Sequence, residues 1–102
     1  MYYIILKEGR GNKPTAGSTV RIGYKMMLLS GLTLDDSNLR GGPQDFQVGL
    51  GKLSIRGWEE TLQDMKAGER RLVVIPPELA FGDATTGSIP ANSFLVFELE
   101  RF

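Results

Sequence analysis

The chain has 102 residues, enough for one small domain with a single core over 1–102. Its 41% hydrophobic and 24% charged content excludes a disordered segment, and 12 Lys+Arg against 12 Asp+Glu leave no net charge to draw it to nucleic acid or an anionic membrane. Cysteine and histidine are both absent, which excludes disulfides, zinc-finger and zinc-protease sites, thiol nucleophiles and histidine-dependent triads.

Met1 to Leu6 lacks the basic start and the length of a secretory leader, and no apolar run approaches the roughly 20 residues of a membrane span. A small domain without a disulfide fits an intracellular location, and a cytoplasmic or nuclear one is expected. Tyr2 to Leu6, aromatic and β-branched, predicts a strand. A loop follows through Pro14, with a turn at Pro14 to Gly17. Val20, Ile22, Tyr24, Met26 and Leu28 alternate with Arg21, Gly23 and Lys25, so a long strand with one buried face is expected. Met27 and Leu29 break the polar face, so the strand either twists under another element there or leaves them exposed. Ser30-Gly31 predicts a hairpin turn into Leu32-Thr33-Leu34. Asp35 to Asn38 predicts an irregular loop, because such side chains bond their own backbone. Phe46, Val48 and Leu50 alternate as a short strand, with Gly49 and Gly51 marking a bulge or a close backbone approach.

The strongest helix signal runs from Ile55 to Gly68. Gly57 is expected at the N-cap and Gly68 at the left-handed position that ends the helix. Glu59 and Glu60 fall in the first turn, where the dipole favours negative charge. Trp58, Leu62 and Met65 share one face. Such a short helix is marginal alone and needs a sheet to pack on. Glu69 to Ile75 predicts a strand ended by Pro76-Pro77, with Arg70 and Arg71 as solvated edge residues. Leu79 to Pro90 predicts a loop of a length that is usually functional or disordered. Phe94 to Arg101 predicts the last strand. The expected class is α+β, a mostly antiparallel sheet covering one helix.

Two glycine motifs fail on inspection. Gly49-Leu50-Gly51-Lys52 lacks the upstream glycine of a phosphate loop and has Leu53 where Ser or Thr is required. Gly9-Arg10-Gly11 has Pro14 at the third glycine of a dinucleotide fingerprint. The aromatics Tyr24, Phe46, Trp58 and Phe97 all fall on faces marked as buried. They form either the core or the lining of an apolar pocket open at one end, since Trp is seldom fully buried and a Tyr hydroxyl needs a partner.

The segments Ile55-Arg56-Gly57-Trp58-Glu59-Glu60, Met65-Lys66-Ala67-Gly68-Glu69-Arg70-Arg71, Ile75-Pro76-Pro77-Glu78-Leu79-Ala80-Phe81-Gly82 and Ile89-Pro90-Ala91-Asn92-Ser93-Phe94 resemble the FKBP family of peptidyl-prolyl isomerases. Tyr24, Gly31, Asp35-Asp36-Ser37 and Phe46 to Gly51 match upstream in the same order. The resemblance implies a five-stranded antiparallel half-barrel around the helix, and a binding site between the two. It implies Trp58 as the pocket floor, Tyr24, Phe46 and Phe97 as walls, and an Ile55 N–H that receives a ligand carbonyl. Ile89 lies on the overhanging loop, and Asp35 stands at the mouth with Tyr24 and Arg40. Asp35, Tyr24, Trp58 and Phe97 are the implied catalytic set. Leu34, Ser54 and Phe81 complete the binding set but depart from the usual Phe, Val and Tyr.

The implied activity is rotation about Xaa-Pro bonds in polypeptides, with rapamycin and tacrolimus as inhibitors. No metal, cofactor, nucleic acid or membrane is expected, and a monomer suffices. Isomerisation breaks no covalent bond, which fits a chain without histidine or cysteine. A non-catalytic module that holds a proline-containing partner in the same cleft is the alternative, and a compact domain whose aromatics are all core is the third reading.

Overall fold

The computed structural model describes residues 1–102. The strands are β1 (Tyr2–Lys7), β2 (Thr19–Leu28), β3 (Thr33–Asp36), β4 (Gln44–Gln47), β5 (Arg70–Ile75) and β6 (Leu95–Arg101), and the helix α1 spans Arg56–Asp64. All six strands join one antiparallel sheet in the order β1-β5-β6-β2-β3, with β4 also paired to β2. The expected five strands are thus six, because the long β2 pairs with β4 at its start and with β3 at its end.

Register turns the alternation into a core. Tyr24 lies opposite Leu99, Met26 opposite Phe97 and Leu28 opposite Leu95, while Val73 lies opposite Phe97 and Arg71 opposite Leu99. One face therefore collects Ile22, Val73, Ile75, Leu95, Phe97 and Leu99, all fully or nearly fully buried. Against it pack Trp58, Leu62 and Met65. Burial of a side chain such as Leu62 contributes about 1.5–3 kcal/mol. No helix is long and apolar enough to cross a membrane.

The helix is shorter than its sequence signal and starts earlier. Ile55 is the N-cap, without a side-chain bond, and Gly57 lies inside the first turn. Gly57 serves packing rather than capping: a Cβ there would meet Ile75 Cγ2 at 2.6 Å and Met1 Sδ at 3.0 Å. At the other end, Met65 is already extended. Its carbonyl is taken by the Arg101 guanidinium, which donates at 2.8 Å and replaces an intrahelical partner. Gly68 is left-handed, as expected, but it closes a turn instead of the helix. Glu69 N–H donates to Lys66 O at 3.1 Å, and Gly68 N–H to Arg101 O at 2.8 Å.

Two further expectations are corrected. Asp35 and Asp36 are strand residues of β3, opposite Met26 and Lys25, and Ser37–Arg40 is a 3-10 helix capped by the Asp36 side chain. Arg71 is no solvated edge residue, because β1 covers that flank of β5. Its guanidinium is buried and donates to Glu69 Oε2 at 2.6 and 2.7 Å and to Asp64 Oδ2 at 3.0 Å, and it lies 4.2 Å from the Tyr3 ring centre. Arg70 does remain on the outer face, paired with Glu98 at 2.9 Å. At the end of β2, Met27 is partly buried and Leu29 is exposed in the hairpin turn. Gly49 makes the close approach expected of it. A Cβ there would sit 2.6 Å from Ala16 Cα.

Candidate active site

Four elements bring the predicted aromatics to one place. Trp58 projects from the start of α1 and is only 8% exposed. Tyr24 from β2, Phe46 from β4 and Phe97 from β6 surround it, with ring centres 5.5, 4.4 and 5.7 Å from the indole. Tyr24 and Phe46 meet edge-on at 6.1 Å. Edge-to-face pairs contribute about 0.5–1.5 kcal/mol each beyond their burial, so the rings hold one another at fixed angles. Tyr24 and Phe46 are only partly buried, whereas Trp58 and Phe97 are buried, so the group has a closed end and an accessible end. The indole N–H of Trp58 is buried without a protein partner.

A polar chain runs along the accessible end. Tyr24 Oη donates to Asp35 Oδ2 at 3.2 Å, and Arg40 Nε and Asp36 N–H donate to Asp35 Oδ1 at 3.0 and 2.8 Å. The Arg40 guanidinium holds the Asp35 carboxyl below the ordinary aspartate value, with the Asp36 N–H and the Tyr24 hydroxyl adding to that effect and burial opposing it. Burial raises the Tyr24 phenol, and the Asp35 charge raises it further. At neutral pH, Asp35 is therefore a carboxylate and Tyr24 a neutral donor. The Tyr24 backbone is also fixed, since its N–H donates to the buried Ser37 hydroxyl at 3.0 Å.

The Ile55 carbonyl starts the helix by accepting from Trp58 and Glu59 N–H, both at 3.1 Å, while the Ile55 N–H has no partner in the protein. Ile89 is buried and forms a small bridge with Thr86. Leu34 and Phe81 pack partly buried against the core, but Phe81 makes no ring contact with the group around Trp58. Ser54 is exposed. A hollow of about 330 Å³ lies elsewhere, over the outer face of the sheet, between Lys25, Asp36, Arg70, Glu98, Glu100 and Phe102. It mixes charges of both signs, and of the candidate residues only Tyr24 borders it. No cluster of three or more acidic side chains is placed to hold a metal ion.

Sequence reasoning missed Ser37 and Glu59. Both are buried polar residues that bond backbone N–H groups, and nothing in local periodicity distinguishes them from exposed neighbours.

Comparison with known proteins bears on the family of the chain as a whole. A family model described as FKBP-type peptidyl-prolyl cis-trans isomerase matches residues 10–101. FK506-binding protein 1A of Neurospora crassa is 47% identical over 94% of this chain and 81% of its own length. FK506-binding protein 1 of Dictyostelium discoideum is 41% identical over 94% of this chain and 90% of its own. The crystal structure of FkpA from Escherichia coli superposes with a TM-score of 0.88 at 40% identity, covering 98% of this chain but 46% of that one. AtFKBP13 superposes at 0.89 with 33% identity, covering 96% of this chain and 87% of the other. With its sheet, its helix and nearly its whole length accounted for by these relatives, the chain belongs to the FKBP-type peptidyl-prolyl cis-trans isomerases.

Proposed function

We propose that the domain accelerates Xaa-Pro rotation by enclosing the proline ring among Trp58, Tyr24, Phe46 and Phe97. The barrier of roughly 18–20 kcal/mol is the amide resonance lost on twisting. A twisted amide carries less charge separation than a planar one, so a site poor in water stabilises it relative to the ground state. The Ile55 N–H receives a carbonyl of the bound chain, and the Asp35 carboxylate orients the twisting carbonyl electrostatically. No residue acts as acid, base, nucleophile or metal ligand. The supporting observation is the set of three rings within 4.4–5.7 Å of the indole, beside an ionised Asp35.

The same pocket takes rapamycin and tacrolimus, in line with relatives named for FK506 binding. Leu34, Ser54, Phe81 and Ile89 form its rim. One copy of the chain supplies every residue named, so no second subunit is required. No nucleic acid or membrane is engaged through this domain, whose formal charge is zero.

Emission from the only tryptophan tests the pocket. Titrating rapamycin should shift it saturably, and Phe46→Ala should weaken the response. A silent Trp58 would make the rings a simple core. Saturable binding without turnover would make the domain a holding module.

A further inference from the structure

We infer that Glu59 is a positioning residue that sets the pocket's hydrogen-bond donor and one of its aromatic walls from behind, an inference that rests on the functional reading above. Glu59 lies in the first turn of α1 and is 7% exposed. No Lys or Arg forms an ion pair with it. A buried carboxylate is costly unless hydrogen bonds satisfy it. Glu59 is satisfied by backbone: Gly49 N–H donates to Oε1 at 2.5 Å and Leu53 N–H to Oε2 at 3.4 Å. Bonds to an ionised acceptor are stronger than neutral ones.

The place of these two bonds gives them a consequence. The segment from Val48 to Ser54 has no strand or helix, and Gly49 and Gly51 are both left-handed. It leaves β4 just after Phe46 and enters α1 at Ile55. One end therefore carries the ring 4.4 Å from Trp58, and the other carries the unpartnered N–H. Glu59 grips both ends with its two carboxylate oxygens. Its own backbone N–H also donates to the Ile55 carbonyl at 3.1 Å. Ile55 is thus fixed on the helix side through its carbonyl, and the chain two residues before it is fixed by the bond from Leu53 N–H to the Glu59 carboxylate.

Glu59→Gln keeps the size but turns an amide N–H₂ towards one of two N–H donors, so one end of the loop is released. A misdirected Ile55 N–H loses binding that is equal in ground and transition states, which raises KM rather than lowering kcat. The experiment measures kcat and KM for wild type and Glu59→Gln on an Xaa-Pro peptide by exchange NMR. The expected result is a KM raised about three- to tenfold, the worth of one such hydrogen bond, with rapamycin affinity weakened by a similar factor. A merely structural role would reduce the folded fraction, which lowers apparent kcat at unchanged KM, and an unchanged KM overturns the inference. If Glu59→Gln is unfolded at the assay temperature, Glu59→Asp, which keeps the charge but draws it back by one methylene, is read by the same criterion. An inactive wild type would instead remove the functional reading itself.

Discussion

Replacing Asp35 with Asn separates its electrostatic role from its structural one. The substitution preserves shape and removes charge. Three donors meet the carboxylate: Tyr24 Oη, Arg40 Nε and Asp36 N–H. The Arg40 side chain is 60% exposed, so solvent screens its bond to Asp35 and losing it matters little to the fold. The Tyr24 bond is part-buried and falls from charge-assisted to neutral, a loss of roughly 1 kcal/mol. Asp35→Asn should therefore cost the fold about 1 kcal/mol, which lowers Tm by about 4–8 °C in a domain of this size. A unit charge acting at about 5 Å on the partial charge of a twisting carbonyl contributes on the order of 1 kcal/mol at an effective dielectric of 20, or roughly fivefold in rate. Circular dichroism gives the first quantity and exchange NMR on an Xaa-Pro peptide, below Tm, gives the second. A lowered Tm with unchanged kcat/KM would refute the electrostatic role and leave Asp35 as a tie between β3 and Tyr24.

Phe81→Tyr should strengthen rapamycin binding about three- to tenfold by adding one net hydrogen bond, read by calorimetric titration, with turnover on peptides changed less. Gly57→Ala should destabilise the fold by about 1–3 kcal/mol, seen in chemical denaturation, because the new methyl would lie 2.6 Å from Ile75 Cγ2. Activity should be level between pH 5 and 8 as far as side chains decide it, since the chain has no histidine. Asp35 is held low by Arg40 and Asp64 by Lys13, so their folded values lie below the ordinary 3.8. A depressed folded pKa means that the stabilisation is present above the unfolded value and is lost as pH falls through the folded one. Acid unfolding followed by circular dichroism should therefore show these two groups failing only below pH 3.8.

Where burial follows period, the sequence was legible. Val20 and Ile22, Val73 and Ile75, and Leu95, Phe97 and Leu99 all alternate into the core, as their spacing requires. Trp58 and Leu62 likewise sit on the helical face that their spacing defines, and Met65, just past the helix end, is buried with them. Legibility stopped where distant residues decide local structure. Arg101 ends α1 at Met65 from the far edge of the chain, so no local signal marks that boundary. Arg71 has the composition of a surface residue, and only the docking of β1 and the partners Glu69 and Asp64 bury it. Asp35 and Asp36 have turn propensity, but pairing with Met26 and Lys25 draws them into β3. The ring cluster could be listed from the sequence, whereas the bonds of Glu59 to Gly49 and Leu53 needed coordinates.

The central claim is that an apolar enclosure around Trp58 does the chemistry. Its most direct test is catalysed exchange of peptides that vary the residue before proline, with rapamycin titrated in. The uncatalysed event takes about 10–100 s at 25 °C. Acceleration that is greatest for bulky apolar residues before proline and falls to the uncatalysed rate as rapamycin saturates is the expected result. No acceleration, or acceleration untouched by saturating rapamycin, would contradict it.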